Sequence, residues 1–152
     1  MKISYKIAEA TDAEILMQFM QEYCAFDHLP FEEQTRRASV AKLSGEASLG
    51  RLWLILCDGQ PVGYLVLTLG FSFEYGGYDA FIDEVYLRDE CRGAGIGRQA
   101  LAFAEEECRA LGVRALHLEV ERENVNARAL YRKVGFVEHD RYLLTKTISA
   151  KL

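Results

Sequence analysis

Three glycines alternate in Cys-Arg-Gly-Ala-Gly-Ile-Gly, residues 91–97 of the 152-residue chain. Where such a run opens a helix, the first N–H groups have no carbonyl partner, and residues without a Cβ let the backbone approach an anion or take positive φ. The helix end contributes about half a positive charge, and Arg92 and Arg98 add full ones. Arg92, Gly93, Ala94, Gly95, Ile96, Gly97 and Arg98 are therefore candidates for cradling a phosphate or pyrophosphate. The same spacing also serves a plain tight turn from strand to helix. A P-loop fits less well, because it ends in Lys and a hydroxyl residue whereas Gly97 is followed by Arg98 and Gln99. A dinucleotide turn is weakened too: it needs GxGxxG directly after its strand, although Glu119 or Glu121 would imitate its ribose-binding acid.

Upstream of this turn lies a pair of acids, Asp83 and Glu84, inside the strand-like run AFIDEVYL at residues 80–87. Side chains alternate across a strand, so only one of the two should face a given side unless a bulge intervenes. Asp83 is in phase with Val85 and Leu87, and Glu84 with Ile82 and Tyr86. A solvated or ion-paired strand acid is the plainer reading of either. His28, His117 and His139 are scattered singly. The cysteines at 24, 57, 91 and 108 form no Cys-x-x-Cys pair, so the expectation is no metal and no redox motif. Cys91 is expected either as a buried structural thiol or with its pKa lowered by Arg92.

The elements that must position these groups follow from periodicity. A first strand is predicted over 3–8, and Thr11 with Glu14 has capping-box spacing ahead of a helix ending near Cys24. Pro30, Glu32 and Glu33 open a second helix that Gly45 stops. Apolar runs at 51–57 and 62–69 flank Asp58-Gly59, a hairpin signal. After the strand at 80–87 and the glycine turn, Ile96, Ala100, Leu101, Ala104, Cys108 and Leu111 repeat at helical spacing up to Gly112. A strand over 115–120 then completes a right-handed parallel crossover. A short helix over 126–134, stopped by Gly135, and closing strands at 136–139 and 142–147 finish the chain. The expected architecture is a single α/β domain spanning 1–152, with a mixed, mostly antiparallel sheet of six to seven strands and helices on both faces.

Composition narrows the function. Eighteen basic against 23 acidic residues give a formal net charge of -5, which argues against nucleic acid as a partner. No apolar run approaches membrane-spanning length and the N-terminus lacks a signal-peptide pattern, so a soluble cytoplasmic protein with reduced thiols is expected.

The run IDEVYLRDECRGAGIG (82–97) closely resembles the signature of GNAT acetyltransferases, and NVNARALYRKVGF (124–136) looks like the family's second signature at the expected distance. The resemblance implies a splay between the fourth and fifth strands, with the pyrophosphate of acetyl-coenzyme A wrapped by residues 92–97. It also implies that the pantetheine arm lies along Val85, Tyr86 and Leu87, with Asn124 holding it or capping the next helix, a role for which Asn126 competes. Tyr131 resembles the family tyrosine that protonates the departing thiolate. Paired acids at Asp83 and Glu84 are similar to those of the polyamine acetyltransferase branch, which implies a small cationic amine acceptor, with Asp83 the first choice for its proton acceptor and Glu84 either the alternative base or the group that binds the acceptor's positive charge. The aromatic stretch Phe71, Phe73, Tyr75 and Tyr78 is expected to line an acceptor pocket or to pair two copies of the chain. Two other functions stay open: a coenzyme A binding module without catalysis, and a nucleotide-dependent oxidoreductase.

Overall fold

The computed structural model describes residues 1–149, so the last three residues of the expected domain lie outside the described part. Contacts divide the chain into two compact units, Met1–Glu119 and the segment from Val120 onward.

The first unit is a five-stranded sheet in the order β1-β2-β3-β4-β5, formed by β1 (Ile3–Ile7), β2 (Gly50–Cys57), β3 (Gln60–Ser72), β4 (Gly77–Leu87) and β5 (Ala115–His117). The first four strands pair antiparallel, whereas β4 and β5 run parallel. Asp58 and Gly59 both take positive φ, +50° and +80°, the tight turn that their types predict between β2 and β3. Helix α1 (Ala13–Phe26) packs Leu16, Met17, Phe19 and Met20 onto Leu52, Leu54, Tyr64, Val66 and Tyr86. Helix α2 (Glu33–Gly45) is polar and adds Val40 and Leu43 to the rim of that cluster. Strand alternation turns Trp53, Ile55, Leu65 and Leu67 to the opposite face. There α3 (Ile96–Ala110) buries Ile96, Ala100, Leu101, Ala104 and Cys108, and its Phe103 meets Trp53 edge-on and stacks on Tyr5. Gly112 ends α3 in a left-handed conformation, with its N–H on Arg109 and that of Val113 on Cys108, a Schellman closure.

In the second unit α4 (Val125–Lys133) is the one regular element among the described residues. The strands expected over 136–139 and 142–147 do not form, and β5 stops at His117 instead of residue 120, so the sheet has five strands and not six or seven. A short apolar run makes a strand only if a neighbouring strand takes its N–H and C=O groups. Val137, Tyr142, Leu143 and Leu144 are instead exposed. The N-terminal details shift as well: Asp12, not Thr11, accepts the backbone N–H of Glu9 ahead of α1, and α2 begins at Glu33, three residues after Pro30.

Candidate active site

Strand β4 changes character halfway along. From Asp79 to Phe81 it is paired on both edges, with β3 on one side and with Ala115–His117 of β5 on the other. Beyond Phe81 no strand among the described residues pairs with its second edge. Arg88 N donates to Val62 O at 2.9 Å, so ladder alternation spends the backbone groups of Tyr86 and Glu84 on β3 and turns those of Val85 and Leu87 toward the open edge. The structure thus brings Val85 and Leu87 to this edge. Tyr86 goes elsewhere: its ring joins the α1 core and its hydroxyl donates to Glu22 at 3.0 Å.

Where the second pairing ends, β4 carries an extra residue. Val66 faces Glu84 and Leu67 faces Ile82, so Asp83 has no partner across the ladder and forms a β-bulge. The bulge breaks the expected phase of Asp83 with Val85. Its consequence is that neighbours on one strand, Asp83 and Glu84, share surroundings. Both act on the phenol of Tyr23 from α1, and Arg36 of α2 acts on Asp83 as well as on Glu84. Glu84 is fully engaged: Arg36 Nη1 lies 2.7 and 2.8 Å from its two oxygens, and the hydroxyl of fully buried Tyr64 donates to Oε1 at 2.8 Å. Asp83 stays open to water. Burial among surrounding atoms, then the negative charge of Glu84, push its carboxyl above the usual range, while Arg36 pulls it back.

The glycine turn follows a short 3₁₀ turn, Asp89–Cys91. Gly93 and Gly95 have φ of +80° and +81°, and a Cβ at either would meet nothing within 4 Å. Backbone conformation, not crowding, therefore requires glycine there. Gly95 is the N-cap of α3 and no side chain caps that helix, so its leading N–H groups are presented to the turn. These are the donors an anion needs, and the exposed Ala94 and Arg98 flank them. Ile96 is buried and anchors the helix to the sheet, and a Cβ at Gly97 would lie 3.9 Å from Leu87, so this turn adjoins the end of β4. Arg92 is drawn back: it donates to Leu87 O at 3.0 Å, pairs with Asp89 at 2.7 Å and lies 4.5 Å over the Phe26 ring. Its guanidinium borders an open cleft of about 580 Å³ lined also by Gln18, Glu22, Phe26, Tyr86 and Arg88. The neighbouring Cys91 is half-buried, and its thiol is pushed up, first by burial and then by the charge of Glu90, against a smaller downward pull from Arg88 and not from Arg92.

In the second unit Asn124 caps α4, accepting from Ala127 N at 3.2 Å, which decides the capping role in its favour over Asn126. The other end closes on Gly135, at φ +105°, with its N–H on Arg132 and that of Phe136 on Tyr131. This Schellman closure sets the Phe136 ring 5.9 Å from that of Tyr131, edge to face. The Gly-Phe pair thus has a physical role, which is to fix the tyrosine. Tyr131 is half-buried, and burial raises its pKa and keeps the phenol protonated.

Arg36, Tyr64 and Tyr23 are absent from the sequence-derived site. Arg36 sits in a polar helix where nothing distinguishes it from Arg37. Tyr64 did carry a signal, because a tyrosine inside an apolar strand needs an acceptor for its hydroxyl. Among the described residues no group of three or more His, Cys, Asp or Glu is placed to hold a metal ion, and no helix is long and apolar enough to cross a membrane.

Comparison with known proteins identifies the family. The profile of the Acetyltransferase (GNAT) family matches residues 14–136. The chain belongs to that family. It is 40% identical over 90 residues to the uncharacterized N-acetyltransferase YycN of Bacillus subtilis, covering 59% of this chain and 56% of that protein. It is 30% identical over 115 residues to the aminoglycoside N(6')-acetyltransferase type 1 of Stenotrophomonas maltophilia, covering 74% and 71%. Among solved structures, an integron cassette protein from the mobile metagenome of Cole Harbour Salt Marsh superposes with a TM-score of 0.84 at 35% identity, covering 97% of this chain and 91% of that one. A predicted acetyltransferase of Clostridium acetobutylicum, solved with acetyl-CoA, shares the fold at a TM-score of 0.78 and 16% identity, covering 95% and 96%.

Proposed function

We propose that the chain, acting over 1–152 as one domain, is an N-acetyltransferase that moves the acetyl group of acetyl-coenzyme A onto a primary amine of a small cationic acceptor by direct attack. The observation that carries this reading is the open half of β4, where unpaired backbone groups, a bulged carboxylate and an uncapped, glycine-rich helix start follow one another within residues 82–97. The residues present fit the cofactor: the leading N–H groups of α3 with Gly93 and Gly95 suit its pyrophosphate, and the outward backbone groups of Val85 with the N–H of Leu87 suit the amide-bearing pantetheine arm. When bound, acetyl-coenzyme A supplies an activated thioester.

The chain's own groups supply the rest. An alkyl amine titrates near about 10.4 and arrives protonated at neutral pH, so a proton acceptor is required. Asp83 takes that role, directly or through water, because it is exposed and its raised pKa makes it a better base than an ordinary carboxylate. Glu84 is withdrawn from it, since its oxygens already accept from Arg36 and Tyr64. The N–H of Val85, on the open edge, is the donor suited to a developing oxyanion. Tyr131, held protonated by burial, is assigned as the acid that restores the thiol. Four free cysteines suit a reducing compartment, so we assign the activity to the cytoplasm. Pairing of two copies through the exposed rings of Phe71, Phe73 and Tyr78 is part of the proposal, and a monomer mass by light scattering would remove that part.

The first test is isothermal titration with acetyl-coenzyme A, with NAD as control, repeated on Gly95→Trp. Binding of acetyl-coenzyme A alone, lost in the variant, is expected. No binding, or binding of NAD instead, overturns the reading. A screen of polyamines, amino acids and aminoglycosides then identifies the acceptor, and no turnover of any amine leaves the non-catalytic binding module as the better account.

A further inference from the structure

We infer that Arg36 is a positioning residue: by clamping Glu84 against Tyr64 it removes one of two adjacent carboxylates from service and leaves Asp83, on the bulge, as the single carboxylate offered to the acceptor amine. The inference rests on the acetyltransferase reading for its purpose, although the clamp itself is geometric.

A one-residue bulge creates a problem that regular pleating avoids. In an unbroken strand Asp83 and Glu84 would point to opposite faces and scarcely interact. The bulge gives them common surroundings, and two carboxylates in one site titrate as a coupled pair, so that neither alone is a defined proton acceptor. The structure resolves this from a distant part of the chain, 48 residues back on α2. Arg36 Nη1 spans both Glu84 oxygens at 2.7 and 2.8 Å, and the side chains are only 21% and 13% exposed, so water competes weakly for the pair. From below, Tyr64 donates to Oε1 at 2.8 Å out of a fully buried position, which fixes the carboxylate rotamer from β3. Tyr23 of α1 closes the arrangement, 6.2 Å from the Tyr64 ring and beneath the Arg36 guanidinium at 6.0 Å.

The groups that face Asp83 are therefore Glu84 on its own strand, Arg36 from α2 and Tyr23 from α1, with Tyr64 behind Glu84. Glu84 raises the Asp83 pKa and Arg36 lowers it, so the two have opposite signs at one atom group. Aminoglycoside or polyamine, any acceptor that brings its own positive charge meets one open carboxylate here, not two.

The test is a direct titration of the Asp83 carboxyl by carbon-13 NMR in the wild type, Arg36→Gln, Glu84→Gln and the double variant, with thermal unfolding confirming that each is folded. It needs no turnover, so it separates from the question of whether Asp83 is the base, which Asp83→Asn answers. Wild type should titrate in one step. Arg36→Gln should convert the two acids into a coupled pair whose upper apparent pKa lies about one pH unit or more above the wild-type value. Glu84→Gln should move Asp83 down in one step, and the double variant should again titrate in one step near wild type. If Arg36→Gln does not fold, Arg36→Lys, which keeps the charge but on a single ammonium, should show a smaller upward shift. An Asp83 step that is the same in all variants, or that moves in the same direction in both single variants, overturns the inference.

Discussion

The two halves of β4 share one strand and almost nothing else. From Asp79 to Phe81 both edges are hydrogen-bonded and the buried Ala80 faces α3, so these residues serve stability. From Ile82 to Leu87 one edge is open, a bulge interrupts the pleat, and carboxylates, backbone donors and an uncapped helix follow in quick succession. Completing a sheet and building a site make opposite demands on a backbone: the first consumes its polar groups, the second must leave some unspent.

The widest gap between the halves should appear in catalysis. Asp83→Asn removes the exposed bulge carboxylate at nearly constant shape, and turnover should fall by about 10²–10⁴-fold, the usual worth of a general base, with thermal stability close to wild type. Stability should reverse the ranking. Leu67→Ala empties a fully buried position on β3 opposite Ile82 and should cost about 2–5 kcal/mol in urea unfolding, whereas Val85→Ala on the half-buried open side should cost less than about 1.5 kcal/mol. If the two losses were equal, the open edge of β4 would be as much a packing element as the buried core of β3. Tyr131→Phe should lower turnover with little change in the affinity for acetyl-coenzyme A, and an unchanged alkaline limb of the pH-rate profile would remove Tyr131 from the acid role. Smallest of all, Asn124→Ala should cost about 1 kcal/mol by uncapping α4, read from helix content on warming.

What the sequence made legible follows the same division. The paired elements declared themselves through periodicity and turn chemistry: Asp58-Gly59 closes its hairpin and Gly112 its helix, each at the positive φ its type allows. The glycine turn was legible because only a special backbone needs Gly93 and Gly95. The bulge was not, since Asp83 and Glu84 are both compatible with either face of a strand and the register is set by β3. Nor was Arg36, whose partner lies 48 residues away. The closing strands at 136–139 and 142–147 rest on short apolar runs, and such a run says nothing about whether a neighbour exists to receive the hydrogen bonds.

The open edge also bears on how the protein behaves in a tube. Leu87 O is taken by Arg92, but the outward groups of Val85 and the N–H of Leu87 are unspent, and an edge of this kind is a template on which another chain can add a strand. A ligand lying along that edge would shield it. Preparations kept saturated with acetyl-coenzyme A should therefore stay monodisperse on storage and warming for longer than stripped ones, by a margin that Gly95→Trp erases.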